Sequence, residues 1–119
     1  MEFRENQAIY LQIADHFIEN ILTKKWPEGE RIPSVRELAV QLEVNPNTVV
    51  RTYNHLQEQN IIYNKRGIGY FVAENGFMQA RKLKKDEFVK HDVPEFFRKM
   101  EMLDMMLEEL YEIYKEQKR

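Results

Sequence analysis

Asn47, Arg51 and Asn54 are spaced by four and three residues, so a helix places them on one side, with Thr48 and His55 at its margin. Val49, Tyr53 and Leu56 fall on the opposite side. Asn and Arg are the side chains that pair bidentately with adenine and guanine edges, and a B-form major groove about 12 Å wide admits one helix. Asn47 and Thr48, in the first turn, also stand where free backbone N–H groups meet a phosphate. Lys65 and Arg66, in the link Lys65-Arg66-Gly67-Ile68-Gly69, suit a minor groove or a phosphate clamp, and Arg36 suits a phosphate. Each has a plain structural alternative: a solvated helix side, a solvated turn that protects a strand edge, and an ion pair from Arg36 to Glu37 or Glu43.

Other chemistry finds little footing. There is no cysteine, which excludes a disulfide scaffold, a Cys-based zinc finger and a thiol nucleophile. His16, His55 and His91 are scattered without metal-ligand spacing, and Asp92, ahead of Val93-Pro94, is expected to cap a helix rather than orient a base. There is no phosphate-binding Walker loop, dinucleotide fingerprint or nucleophile elbow. No catalytic residue, metal or cofactor is expected, and an enzyme is not.

The elements that must position these residues are legible from periodicity and punctuation. Between Gln7 and Lys24, Ile9, Ile13, Phe17 and Ile21 recur every four residues beside Tyr10, Ala14, Ile18 and Leu22, a broad apolar stripe of a first helix. Trp26-Pro27-Glu28-Gly29-Glu30 breaks it. Ser34-Val35-Arg36-Glu37 is a capping box that starts a second helix, with Val35, Leu38, Ala39 and Leu42 on its buried side. Asn45 as cap and Pro46 at the first helical position start a third, running to about Gln59. Only Glu43 and Val44 separate this cap from the second helix, so the two cross in a tight turn: a helix-turn-helix. Two β-prone runs, Ile61–Asn64 and Tyr70–Ala73, joined by the basic link, then form a hairpin. It is the wing of a winged helix-turn-helix.

The chain has 119 residues, enough for one compact domain and an appended arm. Its opening residues, Met1 to Gln7, have no apolar core, and the longest apolar run is Tyr70–Ala73, so secretion and membrane spanning are not expected and a reducing, cytoplasmic setting is. The formal charge of −2 sits awkwardly with nucleic acid until it is localised. Residues 31–72 carry five basic side chains against three acidic, net +2, while residues 1–30 carry three basic against six acidic, net −3. Affinity follows the phosphates neutralised at the contact face, not the total.

Ile9–Ile13, Pro27–Ala39, Val44–Val49 and Arg66–Val72, in this order and spacing, resemble the winged-helix domain of the GntR family of bacterial transcription regulators, over nearly all of residues 8–73. The Asn-Pro-Asn-Thr start and the short C-terminal part resemble its YtrA subfamily. The resemblance implies a dimeric DNA-binding repressor in which Arg36, the start of the third helix and the wing contact a two-fold operator. The resulting set of DNA-contacting residues is Ser34, Arg36, Asn45, Asn47, Thr48, Arg51, Asn54, His55, Lys65, Arg66, Gly67, Gly69 and Tyr70. Two positions depart from the family pattern. Val50 stands where fatty-acid-responsive relatives often carry arginine, passing base reading to Arg51, and Tyr70 replaces the usual wing Thr.

The expected architecture is mainly α with a small β-hairpin: a winged helix-turn-helix domain, residues 1–75, and a helical dimerisation arm, residues 76–119. In the arm, Phe96, Met100, Leu103, Leu107, Leu110 and Tyr114 alternate steps of four and three, a seam no single helix buries alone. Phe77, Leu83 and Phe88 mark an earlier helical piece before Pro94 interrupts. YtrA-like arms break the last helix near Asp104-Met105-Met106, yet no Gly or Pro stands there, leaving a continuous helix from Glu95 open. The expected partners are double-stranded DNA and a second copy, with no membrane; no polar cluster marks a small-molecule effector. The rival reading is a winged-helix protein-interaction module without specific DNA binding.

Overall fold

The computed structural model describes Phe3 and residues 6–119; Met1, Glu2, Arg4 and Glu5, part of the opening segment read above, lie outside the described residues. Three helices, α1 (Ile9–Leu22), α2 (Val35–Leu42) and α3 (Pro46–Glu58), precede an antiparallel hairpin of β1 (Ile62–Lys65) and β2 (Gly69–Val72). Helix α4 (Gly76–Glu87), a π-helical turn (Phe88–Asp92), α5 (Val93–Met102) and α6 (Leu107–Gln117) follow. The chain is mostly helical with a two-stranded hairpin, a winged-helix fold. It divides into two compact units, Met1–Lys82 and Leu83–Arg119, so the division falls inside α4.

The core of the first unit is built from the helical stripes. Ile13, Phe17, Val49, Tyr53, Leu56, Ile61 and Val72 are all fully buried. The Phe17 ring meets Tyr53 edge-on at 5.4 Å and Trp26 at 4.4 Å, and Tyr53 meets Tyr70 at 4.7 Å, an aromatic chain tying α1, α3 and the wing. The Tyr53 hydroxyl donates to the Pro33 carbonyl at 2.5 Å, pinning the approach to α2 against α3, and burial pushes its pKa up. The first turn of α1 departs from the expected stripe: Ile9 is exposed and Tyr10 half-buried, because this turn projects past the core.

Both helix starts follow their chemistry. The Ser34 hydroxyl accepts from the Glu37 N–H and the Glu37 carboxylate from the Ser34 N–H, each at 3.1 Å. Asn45 caps α3 through the Asn47 N–H at 2.8 Å, with Pro46 in the first turn. The helix ends do not use glycine. Glu43 (φ 55°), Asn60 (φ 61°) and Asp104 (φ 54°) take the left-handed conformation, each followed by an N–H that reaches back five residues: Val44 to Ala39, Ile61 to Leu56, Met105 to Met100.

The wing is wider than its two strands. Arg31 bridges Phe71, the Ile32 N–H donates to the Tyr70 carbonyl, the Gly29 N–H to the Val72 carbonyl and the Val72 N–H to the Glu30 carbonyl, so the loop before α2 lies along β2 as a third rail. Gly76, at the start of α4, is buried: a Cβ there would stand 2.7 Å from the Ile61 carbonyl oxygen and 3.0 Å from Val72.

Three arm expectations change. Pro94 does not interrupt the helical path. It lacks the N–H that would reach Lys90 and its ring crowds that carbonyl, and the backbone widens into the π turn just before it rather than stopping. Asp92 makes no side-chain cap, since its backbone is already helical. The last helix does break at Asp104, so the seam is divided between α5 (Phe96, Met100) and α6 (Leu107, Leu110, Tyr114), with Leu103 at the break.

Candidate nucleic-acid interface

Helix α3 is docked by its fully buried side, Val49, Thr52, Tyr53 and Leu56. Thr52 is the polar anchor: its hydroxyl donates to the Tyr10 carbonyl at 2.8 Å, joining α3 to α1. That docking leaves Asn47, Arg51 and Asn54 exposed on the outer side, as their spacing requires. Val50 is exposed between them, 41% accessible, an apolar surface that periodicity placed at no particular task.

At the N-terminal end of α3, Asn45, Asn47, Thr48 and Arg51 share a shallow groove with Ala8, Ile9 and Tyr10 of the α1 start. The backbone there differs from expectation. The Asn47 N–H is held by the Asn45 side chain and the Thr48 N–H by the Asn45 carbonyl, at 2.8 and 2.9 Å, so neither stands free for a phosphate; the Asn cap that starts the helix consumes them. The Arg51 guanidinium lies 4.0 Å from the centre of the Tyr10 ring. His55 is half-buried with its ring edge-on to Tyr10 at 6.2 Å, which draws it toward α1.

Arg36 is exposed in the first turn of α2 and, among the described residues, pairs with neither Glu37 nor Glu43. Ser34 has its oxygen committed to the cap, and its backbone N–H, then its side chain, hold the Glu37 carboxyl below its ordinary pKa. In the wing, Lys65 pairs with Gly69 at the closing end of the hairpin, and Arg66 and Gly67 form the tip, with Gly67 at φ 80°. Gly69, at φ 143°, has a second constraint: a Cβ would meet the Arg31 guanidinium at 3.0 Å. Arg31 thus lies across the wing beside Lys65 and Arg66, a cation that sequence spacing left unassigned because strand pairing, not helix periodicity, brings it there. The Tyr70 ring turns inward onto Tyr53, and its carbonyl accepts from the Ile32 N–H.

Cations of the two units behave differently. Arg31, Arg36, Arg51, Lys65 and Arg66 are exposed and form no ion pair among the described residues. In the arm, Lys84–Glu87, Arg98–Glu95, Lys115–Glu112 and Arg119–Glu116 pair at three-residue spacing. The arm instead exposes apolar surface. Phe88, Phe96, Leu103, Leu107 and Tyr114 are half or more accessible, and Val89, Phe97, Met102, Met106, Tyr111 and Ile113 extend that surface beyond the expected seam. Met100 is buried, Leu83 and Leu110 are half-buried, and Phe77 belongs to the first unit, flanked by Lys24 and Arg81 at 5.3 Å each. Among the described residues no cluster of His, Asp and Glu suits a metal, and no helix is long and apolar enough to cross a membrane.

Residues 9–72 match the family model described as bacterial regulatory proteins, gntR family. The chain is 36% identical over 111 residues to the uncharacterized HTH-type transcriptional regulator YhcF of Bacillus subtilis, covering 93% of this chain and 90% of that protein. It is 40% identical over 72 residues to the HTH-type transcriptional repressor YtrA of the same bacterium, covering 60% of this chain and 55% of that one. A solved GntR family transcriptional regulator from Listeria monocytogenes superposes with a TM-score of 0.79 at 34% identity, over 96% of this chain and 98% of that chain.

Proposed function

Because this chain belongs to the GntR family of bacterial regulatory proteins, as a YtrA-like transcriptional regulator rather than an enzyme, we propose that it represses transcription as a homodimer on a two-fold DNA operator. The observation that carries the reading is the outer side of α3: Asn47, Arg51 and Asn54, solvent-facing and flanked by cations that form no ion pair among the described residues, on a helix whose other side is wholly buried. Helix α3 enters the major groove, where Arg51 pairs with a guanine edge, Asn47 and Asn54 with adenine, and Val50 meets a thymine methyl. Arg36, Lys65, Arg66 and Arg31 take phosphates, with the Lys65-Arg66 tip near the adjacent minor groove. Ser34, Asn45, Gly67 and Gly69 shape the backbone that presents these groups; Thr48 and His55 border the face, and Tyr70 anchors the wing on Tyr53.

The repressor assignment is supported by the printed role of YtrA, and its place of action is the cytoplasm, with the operator. The homodimer is supported by the exposed apolar surface of α5 and α6, which one arm does not bury. Phe96, Leu103, Leu107, Leu110 and Tyr114, with Leu83 and Phe88, form its centre over the buried Met100, and the arm begins at residue 76, with Phe77 at its root.

Selection from a random DNA pool, followed by titration on selected and scrambled duplexes, tests the reading. Arg51→Ala is expected to cost about 1–3 kcal/mol at one base pair. Arg36→Ala or Arg66→Ala weakens both duplexes alike and flattens the salt dependence. Equal losses on both duplexes for Arg51→Ala would refute base reading, and no binding at low salt would favour the protein-interaction module. Light scattering at micromolar concentration is expected to give twice the chain mass; a clean monomer would sink the dimer.

A further inference from the structure

Arg51 is the sole Lys or Arg of α3, and a free arginine on an exposed helix samples many rotamers that reading a base edge must abandon. Here it is held. Its guanidinium lies over the Tyr10 ring at 4.0 Å, and among the described residues no carboxylate competes for it. Tyr10 is itself tied to α3 twice, once through its backbone and once through its ring. The Tyr10 carbonyl receives the buried Thr52 hydroxyl at 2.8 Å, and His55 stands edge-on to the ring at 6.2 Å and 84°. These ties come from α3 itself, so Tyr10 moves with the helix whose arginine it carries. Tyr10 is half-buried and belongs to the turn of α1 that projects past the core, which gives the ring no dominant packing duty.

We infer that Tyr10 is a specificity-determining positioning residue: an aromatic shelf that sets Arg51 in the orientation that pairs with a guanine edge. The inference rests on the reading above that this side of α3 binds DNA. It assigns to α1 a share in base discrimination that neither the helix-turn-helix nor the wing supplies. Because the ring orders Arg51 before binding, its removal lowers discrimination chiefly through Arg51.

The test uses the full chain, with Tyr10→Phe, Tyr10→Leu, Tyr10→Gln, Arg51→Ala and the Tyr10→Leu/Arg51→Ala double variant. In the free protein, the NMR signal of the Arg51 Nε–H is expected to show an aromatic ring-current shift that Tyr10→Phe keeps and both ring-less variants lose. On DNA selected with the wild-type chain, Tyr10→Leu and Tyr10→Gln lower the ratio of specific to scrambled affinity about two- to fivefold per subunit. Tyr10→Phe preserves it, and the double variant matches Arg51→Ala. An unchanged or increased ratio in folded Leu and Gln variants overturns the inference, as does a further loss of equal size on the Arg51→Ala background, which would make Tyr10 a contact in its own right. A wild-type chain that selects no sequence overturns the DNA reading and this inference together, whereas selective wild-type binding with an indifferent Tyr10 overturns the inference alone.

Discussion

Glu37 ties the start of α2 to the pH of its surroundings. The Ser34 backbone N–H, then the Ser34 hydroxyl, hold its carboxyl below the ordinary value. A group whose folded pKa is depressed adds stability above its unfolded pKa and loses it as pH falls through the folded one. The protection factor of the Ser34 amide is therefore expected to fall in the wild type as the pH drops below the ordinary carboxylate range. In Glu37→Gln, whose amide oxygen still accepts the same bond, it should stay level; parallel profiles would show that another group titrates. At this scale the sequence was informative about residue type and less so about surroundings. Asn47, Arg51 and Asn54 lie where their spacing puts them, but that Asn45 occupies the Asn47 N–H, that Tyr70 faces Tyr53 and that Tyr10 carries Arg51 are contacts between elements, which one-dimensional spacing does not encode.

Helix starts were written in chemistry that sequence displays, a capping box at Ser34 and Asn-Pro at 45–46, and both stand where expected. Helix ends were not. Glu43, Asn60 and Asp104 adopt the left-handed backbone at a cost of about 1–2 kcal/mol relative to the right-handed form, and hydrogen bonds and packing around each turn offset it. Because that balance is tertiary, the absence of glycine near Asp104 concealed the break between α5 and α6. Pro94 misled in the opposite sense, since a π turn absorbs it. Pro94→Ala restores a donor for the Lys90 carbonyl, and the turn is expected to tighten to α-helical geometry, rotating α5 by about 100° relative to the residues before Phe88. Helical content measured by circular dichroism should hold, while the dissociation constant of the proposed dimer, measured by sedimentation, rises about tenfold or more. Unchanged self-association would mean that the apolar side of α5 is not aligned by this turn.

Over the whole molecule, the −2 charge divides into a first unit in which Arg31, Arg36, Lys65 and Arg66 form no ion pair among the described residues and an arm that holds four ion pairs of its own. With Arg31, Arg36, Lys65 and Arg66 on phosphates in each subunit, a dimer displaces about eight counterions, and log K against log salt should have a slope near −7. A slope shallower than about −4 would mean that half of these side chains do not reach the backbone. Gly76 adds a mechanical point. The first turn of α4 rests backbone to backbone on Ile61, the residue that leads from α3 into the wing, with 2.7 Å where a methyl group would need more. Such a seat is a hard stop and not a hinge: a single added carbon acts as a wedge, and any tilt of this turn is confined to directions that lift it off the Ile61 carbonyl. The first turn of α4 is therefore seated by an absence of side chain, on the same residue that leads into the wing.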